Sequence, residues 1–485
     1  MELFNIEDDV FFFESEAESK AREIRTQQNE LVLIARLPPE ILAGIFVRCV
    51  PTSVHKLDTR LRWLNVTRVS SQWRNIALAC PDFWSTPIFS RPKWTPIMLA
   101  RSKMASLVAR VDLIENPTTS PEPILLENAS RLSTLDIHTS QPQLATFMAN
   151  LEHADAAPRL QDIRIVNIDM GNLGEGGMWL PGDLFRRAEV LESRKMGTQP
   201  GVRLHLESCA FPWDSGWYSH LAHFRLENIH PAQRPTMETF LAILVGSPNL
   251  ETLAVIRSCP ATPGFTVQLP RLTSLTIDDS SSLCEHLLRF LVVPPTAIID
   301  IACTIPADIP KDTPLTEIVY QALIPAFSEC TSPDMYDTVC INYKNGFACS
   351  LHHSARPEWS RKVQIDAAGW ARKGWRAALR ATEAVRDHLD FSSVTTLHLH
   401  YMPKLPLPRT PDFFRFHSTL SLWDTMGRKL TGVHTLHLHK SYIGSWLEFM
   451  LTQAMLLVGV SHHNSCFNIP TSPHGLAFRG PDGAL

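Results

Sequence analysis

One pattern limits what this chain can fold into more than any other. A short apolar motif, L-x-x-L-x-L, recurs along most of its length. It reads Leu132-x-x-Leu135-x-Ile137, Leu160-x-x-Ile163-x-Ile165, Leu221-x-x-Phe224-x-Leu226, Leu250-x-x-Leu253-x-Val255 and Leu272-x-x-Leu275-x-Ile277. Further copies are Val394-x-x-Leu397-x-Leu399 and Val433-x-x-Leu436-x-Leu438, with weaker ones at Val108-x-x-Val111-x-Leu113 and around Leu204-x-Leu206. The alternation that closes each motif has the period of a strand, whereas the segments between motifs have the period of a helix. Leu144, Phe147, Met148 and Leu151 share one face of 141–152, and Met237, Phe240, Leu241, Leu244 and Val245 share one face of 236–245, with Gly246 as its stop. Trp375, Ala378, Leu379, Thr382, Val385 and Leu389 share a face of a longer helix. A single helix–turn–strand unit cannot bury its apolar face, but a stack of such units can.

Motif starts at 132 and 160, 221 and 250, and 250 and 272 lie 28, 29 and 22 residues apart. Leucine-rich repeats have periods of about 20–29 residues. Residues 93–457 are therefore expected to form an irregular leucine-rich-repeat solenoid, a curved parallel sheet with helices on its outer side. The glycine cluster at 171–177 (GNLGEGG) and the proline-rich 294–360 interrupt the phase. The tail 458–485, rich in Gly, Pro and Ser, is expected to be disordered. In such strands the residue between the second and third apolar positions points to the open concave side. That row is Asp136, Arg164, His205, Arg225, Ala254, Thr276, His398 and His437. It mixes signs and holds few aliphatics, as a polar surface for a target protein would.

The stretch from Leu37 to Ile88 follows a different rule. Pro38 and Pro39 suit a first helical turn, and Ile41, Leu42, Ile45 and Phe46 then fall on one face of a short helix interrupted by Gly44. Val66, Val69, Trp73, Ile76 and Ala77 predict a second helix, and Pro81 starts a third turn carrying Phe83 and Trp84. Helices this short have little core of their own, so part of their apolar surface is expected to meet a partner or the next domain. Ahead of them, residues 1–36 read as an acidic lead-in and a solvated helical stem.

The order Leu37-Pro38-Pro39-Glu40-Ile41-Leu42, Ile45-Phe46, Val69-x-x-x-Trp73-Arg74-x-Ile76-Ala77, Pro81-x-Phe83-Trp84 resembles an F-box, of the kind expanded in mushroom-forming fungi. The resemblance covers roughly fifty residues, within a domain set at 37–92. Ser70 stands where the family often has Cys. The resemblance implies a small three-helix F-box that docks on a Skp-type adaptor, and through it on a cullin–RING ubiquitin ligase. The positions that match the family's adaptor-binding set are Leu37, Pro38, Pro39, Ile41, Leu42, Ile45, Phe46, Val69 and Trp73.

Composition excludes several other classes. A formal net charge of −4 gives no basic patch for nucleic acid. Ten cysteines include no C-x-x-C pair, so neither a disulfide framework nor a zinc ribbon is indicated, and a reducing compartment fits. The start, MELFNIEDDVFFF, is acidic where a signal peptide is basic, and no apolar run reaches the length of a membrane span. The glycine cluster lacks the Lys of a phosphate-binding loop. His398 with His400, and His437 with His439, flank strand leucines but find no third ligand type nearby, and Cys340, Cys349, His352 and His353 match no zinc spacing, reading instead as buried thiols and loop histidines. No metal, cofactor or catalytic residue is assigned.

The expectation is a non-catalytic, intracellular substrate receptor of a Skp–cullin–F-box ligase, cytoplasmic or nuclear, with the F-box docked on the adaptor and a target on the repeat surface. The alternative is a repeat scaffold whose F-box-like hairpin has no part in ubiquitylation. An enzyme hidden in 294–359 has no motif behind it.

Overall fold

In the computed structural model the residues described are 16–51, 61–116, 120–151, 157–168, 178–182, 184–186, 201–260, 264–304, 336–342, 346–366, 392–400 and 435–438. The glycine cluster 171–177, the helix expected at 375–389, His439 and the tail 458–485 lie outside them. The chain divides into two units: Met1–Asp169 with Asp183–Gly197, and Met170–Gly182 with Thr198–Leu485.

In the first unit, α1 (Glu16–Leu31) leads through a 3-10 turn (Leu33–Arg36) into α2 (Pro39–Cys49), which has proline in its first turn as the sequence predicts. The second expected helix does not run through. A 3-10 turn covers Arg62–Arg68, and Ser70 is extended at φ −156° and ψ 165°, its hydroxyl accepting the Trp73 amide at 3.2 Å. Serine competes with the helix backbone for hydrogen bonds and so prefers the cap to the interior. It starts α3 (Ser71–Ala79) and leaves Val66 and Val69 outside it. A 3-10 turn at Pro81–Trp84 and α4 (Trp94–Ser102) follow. Residues 37–92 thus contain two α-helices and two 3-10 turns among the described residues, and the expected three-helix domain is corrected accordingly.

The core of this segment is aromatic. Leu42, Phe46, Trp63, Leu64, Ala77, Phe83, Trp84, Ile88 and Met98 are buried together. Phe83 meets Trp84 edge-on at 5.1 Å and Trp63 at 4.9 Å, geometries that the ring quadrupole favours. The Trp84 Nε1 donates to the Ala77 carbonyl at 2.8 Å, capping α3 from the side.

Three parallel strands complete the unit: β1 (Leu107–Asp112), β2 (Leu132–Thr139) and β3 (Asp162–Asn167), with the short α5 (Glu122–Glu127) and α6 (Gln141–Asn150) between them. Their register aligns Ala109 with Leu135 and Ile163, and Val111 with Ile137 and Ile165. All six are buried, and Leu144, Phe147 and Met148 of α6 are buried as the helical period requires. Arg131, also buried, ties α4 to β2. Its guanidinium donates to Ser102 Oγ at 2.8 Å, the Lys103 carbonyl at 2.7 Å and Asn128 Oδ1 at 2.9 Å.

Among the described residues the main sheet of the second unit has ten strands. It contains β4 (Val202–Glu207), β5 (Leu221–Glu227), β6 (Thr252–Ile256), β8 (Ser274–Ser280), β10 (Ile298–Thr304), β11 (Thr338–Asn342), β12 (Gly346–His353), β13 (Arg356–Asp366), β14 (Thr396–His400) and β15 (Thr435–Leu438). The spatial order is β4-β5-β6-β8-β10-β13-β12-β11-β14-β15. Two short strands, β7 (Val267–Gln268) and β9 (Leu291–Val292), pair apart from it. Pairing is parallel from β4 to β10 and on to β13, antiparallel through β13-β12-β11, and parallel again to β14 and β15.

This sheet overturns the expected helix-covered solenoid: the architecture is a large, mostly parallel sheet with few helices. The described crossovers between β4 and β10 hold two α-helices, α7 (Met237–Val245) and α8 (Ser281–Leu288), and 3-10 turns at Gly216–Tyr218 and Pro231–Gln233. The reasons can be read in the crossovers. Between β4 and β5 the aromatic segment Phe211, Trp217 and Tyr218 is buried, filling with rings the volume a helix would take. Phe211 and Trp217 stack at 5.9 Å. Between β6 and β8 stand Pro260, Pro263 and Pro270, each lacking an amide donor for a helix. In the region 294–360, where the repeat phase breaks, the described residues carry the parallel strand β10 and the antiparallel strands β11, β12 and β13. Trp359, Arg361 and Val363 alternate inward along β13, and Ser354-Ala355 makes a two-residue turn back to β12. His352 and His353 therefore belong to a strand, not a loop.

Candidate functional site

Two surfaces come from the residues the sequence singles out. The first is α2 and its surroundings. Positions i and i+4 share a helix face, and α2 turns one such pair inward and another outward. Leu42 and Phe46 are fully buried, whereas Ile41 is 52% exposed, Ile45 40% and Val69 54%. A Cβ added at Gly44 would meet nothing within 4 Å, so the outer face of α2 is open there too. Trp73 is half-buried, its ring 5.0 Å from that of Phe46. Leu37 is half-buried, and Pro38 and Pro39 are exposed. The nine residues expected to meet an adaptor thus separate by role. Leu42 and Phe46 hold the chain's own core, so no partner can bury them further. Ile41, Ile45 and Val69 present apolar surface outward.

The second surface is the polar face of the strands. In the first unit the register aligns Arg110, Asp136 and Arg164. Asp136 is buried between the two guanidinium groups, with Arg164 Nη1 at 3.7 Å and Arg110 Nε at 4.0 Å. Burial pushes its carboxyl above the usual carboxylate range, and the two arginines pull it partly back. Asp136 is thus a buried member of the row, while Arg164 is exposed.

In the second unit the register runs unbroken across ten strands: His205, Arg225, Ala254, Thr276, Asp300, Lys362, Ser350, Cys340, His398 and His437. All of the row positions expected in this unit therefore fall in one line. The sequence reading missed the four between Thr276 and His398: Asp300 lies on the parallel β10, which lacks the L-x-x-L-x-L motif, and Lys362, Ser350 and Cys340 lie on antiparallel strands that lack it too. The signal that could have found them is the alternation of β13, where Lys362 stands between buried Arg361 and Val363. Lys362 Nζ lies 3.4 Å from Asp300 Oδ1, and the His398 and His437 rings stack at 4.2 Å.

At the β4–β5 end the face is densely charged. His205 and Glu207 on β4 stand beside Arg225 and Glu227 on β5. Arg225 donates to Glu227 Oε2 from Nε at 3.0 Å and Nη2 at 2.7 Å. His205 Nε2 is 3.7 Å from the same oxygen, and Asn228 Nδ2 donates to Glu207 Oε1 at 3.5 Å. Sequence reasoning found His205 and Arg225 but not the two glutamates. The repeated phase Leu204-His205-Leu206-Glu207 and Phe224-Arg225-Leu226-Glu227 carried the signal.

Two of the buried thiols offer no chemistry of this kind. Cys209 and Cys349 are fully enclosed, and burial pushes both thiols up, away from the reactive thiolate. Among the described residues no helix is long and apolar enough to cross a membrane. No protein-family profile, no curated protein and no solved structure matches the chain.

Proposed function

We propose that the chain is a non-catalytic receptor. The segment 37–92 docks on a Skp-type adaptor of a cullin–RING ubiquitin ligase, and the polar strand face holds a protein target. One observation carries the reading: Ile41, Ile45 and Val69, which match the family's adaptor-binding positions, are exposed although Leu42 and Phe46 on the same helix are buried. Water-exposed aliphatics at i and i+4 on a short helix suit burial against a partner. Supporting the second half is a row of mixed charge and histidine across ten strands, a composition suited to hydrogen bonding with a protein surface. The chain's contribution to ubiquitin transfer is proximity, since holding a target near the conjugating enzyme raises its effective concentration.

Calorimetric titration of a purified Skp-type adaptor into the chain tests this. Wild type binds, and Ile41→Asp/Ile45→Asp lowers affinity at least about thirtyfold, since each desolvated carboxylate costs more than about 1 kcal/mol. A folded wild type that binds no adaptor would sink the reading and leave a scaffold without a ligase role.

A further inference from the structure

We propose that His205, Glu207 and Glu227 form a divalent-cation site, with zinc as its best occupant, on the open face of the second unit. Each residue offers one ligand atom, an imidazole nitrogen or a carboxylate oxygen, and the three atoms lie within 4.8 Å of one another. Zinc bonds of about 2.0–2.2 Å to nitrogen and oxygen set ligand atoms about 3.4 Å apart around a tetrahedral ion. The backbone is already positioned. His205 and Glu207 are two apart on β4 and share its open face, and the parallel register sets Glu227 directly beside Glu207.

Both carboxylates also have supporting donors of the sort that orient metal ligands. Arg225 grips Glu227 through Oε2, and Asn228 reaches Glu207 through Oε1. Outer donors of this kind fix the direction in which a ligating carboxylate presents its lone pairs. Two carboxylates and the Arg225 guanidinium paired to Glu227 leave one net negative charge beside a neutral imidazole, which favours a cation at the site. Nitrogen and oxygen donors without thiolate fit zinc and exclude soft monovalent copper. Three protein ligands leave a fourth position for water or for a side chain of a docked protein. The site does not depend on adaptor docking.

The test uses the purified full chain and zinc ion alone, in competition with a chromogenic chelator at pH 7.4. The chain takes up one zinc, and His205→Ala, Glu207→Gln and Glu227→Gln each weaken binding tenfold or more. The two Glu→Gln changes keep side-chain shape, so matching circular dichroism and melting curves separate lost ligation from lost folding. His398→Ala/His437→Ala, on the same face, leaves affinity unchanged. Affinity falls in acid, as protons compete with zinc for the imidazole and the carboxylates. Zinc absorption spectra show nitrogen and oxygen neighbours near 2.0–2.2 Å. No zinc uptake, equal uptake by all variants, or sulfur neighbours at about 2.3 Å would each overturn the proposal.

Discussion

Truncating Leu42 and Ile41, adjacent residues of one helix, separates what holds the N-terminal segment together from what it presents. Leu42 is fully buried among Phe46, Trp63, Phe83 and their neighbours. Leu42→Ala removes buried methyl groups and leaves a cavity that rigid aromatic rings cannot collapse into. Such changes cost about 2.7–5 kcal/mol. Ile41 is 52% exposed, so Ile41→Ala forfeits at most about half of the roughly 1.5–3 kcal/mol of full burial. Alanine's better helix propensity returns a few tenths of a kcal/mol. The net loss stays below about 1 kcal/mol. Amide hydrogen exchange of peptides spanning 39–49 reads these values locally, which matters in a chain of two units. Leu42→Ala speeds exchange there by about a hundredfold to several thousandfold, and Ile41→Ala by less than about fivefold. Comparable acceleration by both would refute the reasoning, because it would mean that the outer face of α2 is packed after all.

Two glycines predict opposite signs. A Cβ at Gly201 would sit 2.6 Å from the Ala222 Cβ, where β4 and β5 converge, so Gly201→Ala lowers Tm. At Gly246 the backbone is right-handed (φ −69°) and a Cβ would make ordinary 3.5 Å contacts, so Gly246→Ala raises stability by about 0.4–1 kcal/mol, seen as a higher Tm. Arg131→Leu costs roughly 1.5–3 kcal/mol in chemical unfolding, because one buried and two part-buried acceptors lose a charged donor. Asp337 anchors the β12–β13 turn through the Ser354 amide and hydroxyl. Burial raises its carboxyl, but those bonds outweigh it and leave it below the usual carboxylate range. Its stabilisation is therefore present above the unfolded value near 3.9 and is lost as pH falls through the lower folded value, a step that Asp337→Asn abolishes in acid-unfolding curves.

Strand positions were legible in the sequence because a buried parallel strand needs apolar side chains at fixed alternation, and Leu135, Ile163, Phe224, Leu253 and Leu275 supply it. The polar row was legible for the same reason, since period two places Arg225 opposite the buried Phe224 and Leu226. What filled the space behind the strands was not. Aromatic clusters such as Phe211 with Trp217, and proline-rich crossovers, bury volume without any periodicity, so a helix was expected where none forms. The hairpin at 346–366 was hidden because its strands alternate Trp359, Arg361 and Val363, and a buried arginine does not read as core. On α2, periodicity put Ile41, Leu42, Ile45 and Phe46 on one broad stripe. Only packing shows that half of it is turned away from the core.

The account's central claim is that the outward face of α2 and the segment leading into α3 are where the adaptor docks. Hydrogen exchange of the chain with and without purified Skp-type adaptor tests that most directly. The account predicts new protection confined to peptides within 37–49 and 65–76, lost when Ile41→Asp/Ile45→Asp is present. Protection elsewhere, or none at adaptor concentrations that saturate a known receptor, would contradict it.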